Sequence, residues 1–307
     1  MTEPSLQSDL NSFDLKAFLT EYGQLVAAAM EKRIARYPAE SRVTQAMRHS
    51  LFAGGKRLRP ILCMTAAEAV GGDKDLVMDV AAALEFIHTY SLIHDDLPAL
   101  DDDDYRRGTP TCHKAFDEAT AILAGDGLLT SAFEILSHAA DDGLLPAEKV
   151  LTIIARISHA AGCNGMILGQ MLDIEGESKS LTREELESVH NNKTGAMIEV
   201  SVFSGAYLGG GTPEQIASLD VYAKNVGLAF QVIDDILNVV GDPKVMGKAV
   251  GTDAELGKST YPALMGLDGA RDFAERLINK ALQAIVSFDN KCDPLRSIAT
   301  YILTRSR

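Results

Sequence analysis

A chain of 307 residues with 46% hydrophobic content, no tryptophan and few prolines has the apolar material for a large core and too little biased sequence for disorder. Its formal net charge of -14 sets it against nucleic acid as a general partner, so an anionic ligand would need metal ions and a few placed Lys or Arg side chains. The four cysteines, Cys63, Cys112, Cys163 and Cys292, form no CxxC pair, which points to free thiols and a reducing, cytoplasmic setting.

Residues 1–12 carry neither a basic region nor an apolar run, and are expected to be a flexible N-terminus, not a signal peptide. Helical periodicity then takes over. It runs from Phe13 to Arg36, with Leu15, Phe18, Leu19, Tyr22, Leu25 and Val26 recurring at three and four, and stops before Pro38. A shorter helix covers Val43 to Phe52 and ends at Gly54-Gly55; Pro60 suits the first turn of the next, which reaches Gly71-Gly72. Asp73 or Asp75 is placed to cap a long helix bearing Val77, Val80, Leu84, Ile87 and His88. After a loop from Asp101 to Pro110, helices are expected over Lys114–His138, Ala147–Ala161, Gly165–Ile174, Glu184–Leu208, Pro213–Val240, Pro262–Phe288 and Leu295–Thr304. No run of alternating β-branched residues, no fixed repeat and no apolar stretch approaching a membrane span is expected. The economical fold is all-α: a single domain over residues 1–307, built from antiparallel helices.

The long central helix runs straight into acid. Asp95, Asp96, Asp101, Asp102, Asp103 and Asp104 fall within ten residues, directly before Arg106 and Arg107. Such a concentration of like charge repels itself unless water or a cation compensates. Oxygen ligands with no His or Cys at metal spacing favour a hard ion, Mg²⁺ or Ca²⁺. Far downstream, FQVIDDILNVVGDP places Asp234, Asp235 and Asn238 inside an apolar helix, with 234 and 238 on one face. Two acidic clusters on two apolar helices suggest carboxylates that face each other across metal ions. Basic residues recur beside each cluster: Lys56, Arg57 and Arg59 in GGKRLRP, Arg106 and Arg107, Lys193 with Thr194 in NNKTGA, and Lys248 and Lys258. Taken together they suit a ligand carrying diphosphate. Solvated acidic loops and surface lysines are the plainer reading of each feature alone.

Two look-alikes fail on spacing. GTDAELGKST has five residues between Gly251 and Gly257 where a phosphate-binding P-loop has four, and no strand precedes it. The acidic run puts Leu100 where a calcium-binding EF-hand loop needs glycine. His94-Asp95 leaves a metal phosphohydrolase as the alternative from another reaction class.

In order, GGKRLRP, DDLPALDDDDYRRGTPTCHKAFDEATAILAGD, GQMLDI, NNKTGA, FQVIDDILNVVGD and GKST-YPAL resemble the short-chain trans-prenyl diphosphate synthases over nearly the whole chain, most of all the bacterial farnesyl diphosphate synthases. The resemblance implies an isoprenoid-synthase fold with a deep cavity between helices, a homodimer, and three Mg²⁺ ions when substrate is bound. It implies Asp95 and Asp101 of the first motif as direct metal ligands, with Asp96 beside them, and Asp234 of the second motif, next to Asp235, as ligand to a further ion. It assigns Lys56, Arg59, His88 and Arg107 to isopentenyl diphosphate, and Arg106, Lys193, Thr194, Gln231, Lys248 and Lys258 to the allylic diphosphate. The chain departs from the family at Asn238, where an aspartate is usual; Asn keeps an acceptor oxygen and loses the charge. Geranylgeranyl diphosphate synthesis and a non-catalytic subunit are the alternatives within the family. Chain length has its own signal. Ser91 lies one turn, about 6 Å, before Asp95, and Tyr90 beside it is bulky enough to floor a tunnel after three isoprene units.

Overall fold

Residues 13–141, 145–241 and 258–305 are described by the structure, a computed structural model. The expectations for residues 1–12, for Lys248 and for most of the P-loop look-alike lie outside the described residues.

Helix α1 (Leu15–Ile34) starts where the Asp14 carboxylate accepts a hydrogen bond from Ala17 N at 2.9 Å, and it buries Tyr22, Val26, Met30 and Ile34 as one stripe. It is followed by α2 (Arg42–Leu51) and by α3 (Leu58–Ala69), with Pro60 in the first turn, where no N–H is needed. Asp73 caps a separate 3₁₀ turn, Lys74–Val77, and not the long helix, so α4 (Met78–Asp95) begins only after that turn. The axis of the bundle is α4. From Val80 to Ile87 it is buried on every side, the condition under which a helix apolar all round is stable in water. Burial of Leu84, Phe86 and Ile87 contributes roughly 1.5–3 kcal/mol each.

The stretch expected as a loop holds a small hairpin, β1 (Tyr105–Arg106) against β2 (Thr109–Pro110). A single turn, α5 (Cys112–Ala115), then breaks at Phe116, so the helix expected from Lys114 begins only at α6 (Glu118–Asp141). Next come α7 (Ala147–Ala161), α8 (Met166–Gly176) and α9 (Arg183–His190). The helix expected over Glu184–Leu208 is interrupted: Asn191–Gly195 forms a π-helical turn between α9 and α10 (Ala196–Leu208). The last three are α11 (Pro213–Val240), α12 (Tyr261–Ala284) and α13 (Asp293–Thr304). Capping boxes at Thr182/Glu185 and Thr212/Gln215 fix where α9 and α11 begin. α4 packs along α6, α3 along α10, and α11 along α12, around one apolar core that runs from Tyr22 to Ile302.

One expectation is corrected by length. Lys74–Asp95, Glu118–Ala140 and Ala147–Gly176 are each long and apolar enough to cross a membrane by length and composition. In the bundle 67% of the apolar window of Lys74–Asp95 is buried against other helices, which is where its hydropathy is used.

Candidate active site

The first acidic wall is built where α4 ends. Asp95 is its last residue, and the chain folds back so that Asp101 N donates to Asp95 O at 2.8 Å and Asp102 N to Leu97 O at 3.2 Å. Asp102 takes a left-handed φ of 51°, which a short polar side chain tolerates. Burial, together with the charges of Asp101 and Asp96, pushes the Asp95 carboxyl up to about 6 against the pull of Lys193 and Arg106. Asp96 points elsewhere. It is buried and accepts from Arg106 Nε at 2.6 Å, while Arg106 Nη2 reaches Asp103 at 3.3 Å. Neighbours on a helix diverge by about 100°, so Asp95 faces a large cavity, whereas Asp96, Arg106 and Arg107 line a space of only ≈ 20 Å³ behind it.

A histidine joins the acid here that sequence spacing did not show. The chain reversal at the hairpin brings His113 of α5 back, so that ligand atoms of Asp102, Asp104 and buried His113 lie within 4.8 Å of one another. Asp104 there holds the Lys114 ammonium at 2.7 Å.

The second wall belongs to α11. Gln231, Asp234, Asp235 and Asn238 line a cavity of ≈ 410 Å³, and Asp101 lines the same cavity from the first wall. Asp235 is buried and accepts from Tyr261 N at 2.9 Å, which ties α11 to the start of α12; His190 Nε2 lies 3.6 Å from the same oxygen. Asp234 accepts from Arg305 at 2.6 Å.

Between the walls stands a residue that sequence reasoning passed over. Asp173, in the GQMLDI segment of α8, accepts from Lys193 Nζ at 2.7 Å and Lys258 Nζ at 3.3 Å. Burial alone would raise its carboxyl, but the two ammonium groups hold it below the usual range. Lys258 also lies 3.9 Å from Asp101. The π turn aims Lys193 at this point, and α8 comes close enough that a Cβ at Gly169 would stand 2.1 Å from Lys193 N. Lys193 therefore lines both the ≈ 410 Å³ cavity and a neighbouring one of ≈ 490 Å³.

That larger cavity holds most of the remaining residues singled out above, whereas Lys56 lines the ≈ 410 Å³ cavity and Arg107 the small space behind the first wall. Arg59, His88, Asp95, Lys193 and Thr194 ring one part of the larger cavity; Tyr90, Ser91, Leu129, Met166, Ile167, Met171 and Ile174 form an apolar extension. The Tyr90 ring meets His94 edge-on at 5.7 Å, and burial with the nearby Asp95 charge pushes its phenol up to about 12.

The basic cluster is held by two interlocked turns. Gly54 and Gly55 have φ of 93° and 122°, and the Arg107 guanidinium donates to Gly54 O while lying across Gly55, where a Cβ would stand 2.3 Å from its Cζ. Arg57, in a left-handed conformation, turns inward and pairs with buried Glu85 at 2.6 Å. Glu85 was another residue without a sequence signal. Burial lowers Arg59 to about 10, with Arg107 adding to the effect, and leaves Arg59 Nε without a hydrogen-bond partner. His88 is lowered well below its ordinary value by burial and by Arg59, Arg107, Arg106 and Arg57. A crowd of cations that disfavour one another's charge gains most from an anion.

Helices around paired cavities, with acid on two walls and cations set among and beside them, define the isoprenoid-synthase class, whose fold the solved neighbours share. Residues 40–292 match the polyprenyl synthetase family, and the chain belongs to it. It is 49% identical over 258 residues to a farnesyl diphosphate synthase of Geobacillus stearothermophilus, covering 84% of this chain and 86% of that protein. It is 45% identical over 297 residues to a dimethylallyltranstransferase of Fischerella ambigua, covering 96% and 85%. A geranylgeranyl pyrophosphate synthetase from Pyrococcus horikoshii superposes with a TM-score of 0.86 at 33% identity, covering 95% of this chain and 98% of that one. Prenyl synthases are generally metal-dependent and use isopentenyl and allylic diphosphates.

Proposed function

We propose that this chain joins isopentenyl diphosphate to dimethylallyl and then geranyl diphosphate, head to tail, giving (2E,6E)-farnesyl diphosphate and diphosphate. The observation that carries the reading is a pair of adjoining cavities that share Lys193. One is lined by Asp101, Asp173 and Asp234 with Lys56 and Lys258, and the other holds Arg59 and His88 beside Asp95, with the Arg107 charge close to both of them.

The donor set fits Mg²⁺. Asp95, Asp101 and Asp234 offer oxygen alone, and the half-buried Asp95 carboxyl, raised by desolvation and by the charges of Asp101 and Asp96, is a group that a cation would relieve. Bound there, Mg²⁺ would neutralise the charge that gathers on a departing diphosphate. The chain's own residues do the rest. In this reading Lys193, Lys258, Thr194 and Gln231 hold the allylic diphosphate, with Lys248 in the same role. Lys56, Arg59 and Arg107 hold isopentenyl diphosphate, with His88 adding a hydrogen bond. Arg106 acts by fixing Asp96 and the turn of the first wall; it reaches the substrate only by giving up those contacts. Asp235 keeps the second wall in register with α12. Fixing both substrates turns an encounter into a positioned attack of the isopentenyl double bond on the allylic carbon, while Leu129, Met166 and Met171 exclude the water that would trap the cation. The proton released as the new double bond forms goes to the departing diphosphate.

Tyr90, with Ser91, floors the apolar extension and sets the product at three isoprene units. A homodimer belongs to the same reading, supported by exposed Ile122, Leu123 and Leu151. So do a single domain, supported by the continuous core, and a cytoplasmic location, supported by four free cysteines. Incubation with Mg²⁺, isopentenyl diphosphate and each allylic primer, read by product mass, tests the proposal. A C15 product supports it; a C20 product shifts the assignment to geranylgeranyl diphosphate, and no condensation product refutes it.

A further inference from the structure

α13 ends at Thr304, and the next residue turns its side chain back onto the second acidic wall. The Arg305 side chain is 2% exposed. Its guanidinium lies 3.9 Å from the centre of the Phe230 ring, and donates to Phe230 O at 2.7 Å and to Asp234 Oδ1 at 2.6 Å. It thus spans one turn of α11 and lines the ≈ 410 Å³ cavity on the same side as Gln231 and Asn238. Stacking, burial and a bond to the helix carbonyl hold it there independently of the carboxylate. A solvated tail arginine has none of these.

The charge balance of this wall follows. Residue 238 is a neutral Asn and Asp235 is anchored to Tyr261 N, so the negative charge that the wall directs at a cation falls mainly to Asp234. Arg305 cancels that charge at hydrogen-bond distance. A divalent cation arriving at Asp234 must displace the guanidinium from one oxygen or sit beside a fixed positive charge, and both weaken it.

We propose that Arg305 is a built-in competitor for the cation at Asp234. It holds the carboxylate until an ion arrives together with diphosphate oxygens, which supply the charge the wall lacks. The cation at the second wall is then the weaker-binding one in the substrate-free protein. The inference rests on the reading of Asp234 as a metal ligand.

Mn²⁺ titrated into the full-length, substrate-free protein and followed by electron paramagnetic resonance reads this without turnover. An Asp95→Asn background removes a first-wall ligand, and the part of the signal that Asp234→Asn abolishes in it reports the second wall. Arg305→Gln in that background should bind Mn²⁺ about tenfold more tightly than its parent. Arg305→Lys, which keeps the charge and loses the fork, should fall between them, and Asp234→Asn should erase the gain. Equal or weaker binding in Arg305→Gln overturns the proposal, weaker binding showing that Arg305 positions Asp234 for the ion. Arg305→Lys binding as tightly as Arg305→Gln overturns the charge argument. Failure of the transferase reading would show separately, as no product from the wild-type chain and its diphosphates, whatever the titration gives.

Discussion

Replacing Asp95 by Asn should destroy turnover and, in metal-free protein, stabilise the fold. Burial and the adjoining Asp101 and Asp96 raise the Asp95 carboxyl from 3.8 to about 6. A carboxyl raised in the folded state contributes stability that is fully present below its unfolded value and is lost as pH rises through its folded value. With the unfolded value near 3.9, that loss grows by about 2 kcal/mol between pH 4.5 and 7.5. The amide in the Asp95→Asn variant carries no charge to desolvate and escapes the loss. Urea unfolding in chelator should therefore show Asp95→Asn gaining about 2 kcal/mol on wild type over that interval, flat above pH 7. Saturating Mg²⁺ should reverse the order, because wild type binds the ion and the variant binds it less well. A stability difference that does not change between pH 4.5 and 7.5 would refute the reasoning, since Asp95 would then be well solvated and no strained ligand.

Tyr90→Ala should lengthen the product by at least one isoprene unit at a cost of about 3 kcal/mol in stability, the scale for a truncated buried aromatic; an unchanged mass spectrum of products excludes Tyr90 as the floor. Asn238→Asp should lower the Mg²⁺ concentration for half-maximal rate by about threefold, since it adds a charge to the second wall; an unchanged Mg²⁺ profile means position 238 does not feel the ion. Gly55→Ala forces a side chain into the Arg107 guanidinium at a φ of 122°, and should raise KM for isopentenyl diphosphate about tenfold while leaving KM for the allylic primer nearly unchanged. Equal rises in both would show that the two basic sets are not separate subsites.

Much of the fold was legible because its helices announce their own ends. α11 runs over the expected range Pro213–Val240 and α7 over the expected range Ala147–Ala161. The break at Asn191–Gly195 carried no local signal: a π turn inside an apolar helix is imposed by packing, here the approach of α8 at Gly169 to the backbone of Lys193. Among site residues, runs of like charge were visible and single partners were not. Asp173 reads as one more polar residue on a helix until Lys193 and Lys258 converge on it, and Glu85 until Arg57 turns inward. The resemblance singled out Asp95 over Asp96 as a ligand without a reason in the residues themselves; helix geometry supplies one, sending Asp95 to the cavity and Asp96 to Arg106. Arg305 drew no attention in the sequence, because nothing in its neighbours signals that it stacks on Phe230 and bonds to α11.

Crystals grown with Mn²⁺ and a non-reactive thio-analogue of the allylic diphosphate, measured for anomalous scattering, test the central claim most directly. The account predicts Mn²⁺ peaks against Asp95 and Asp101 on one side of the diphosphate and against Asp234 on the other, with Arg305 withdrawn from Asp234. Peaks confined to Asp102, Asp104 and His113, or a diphosphate bound with no ion at Asp234, would contradict it.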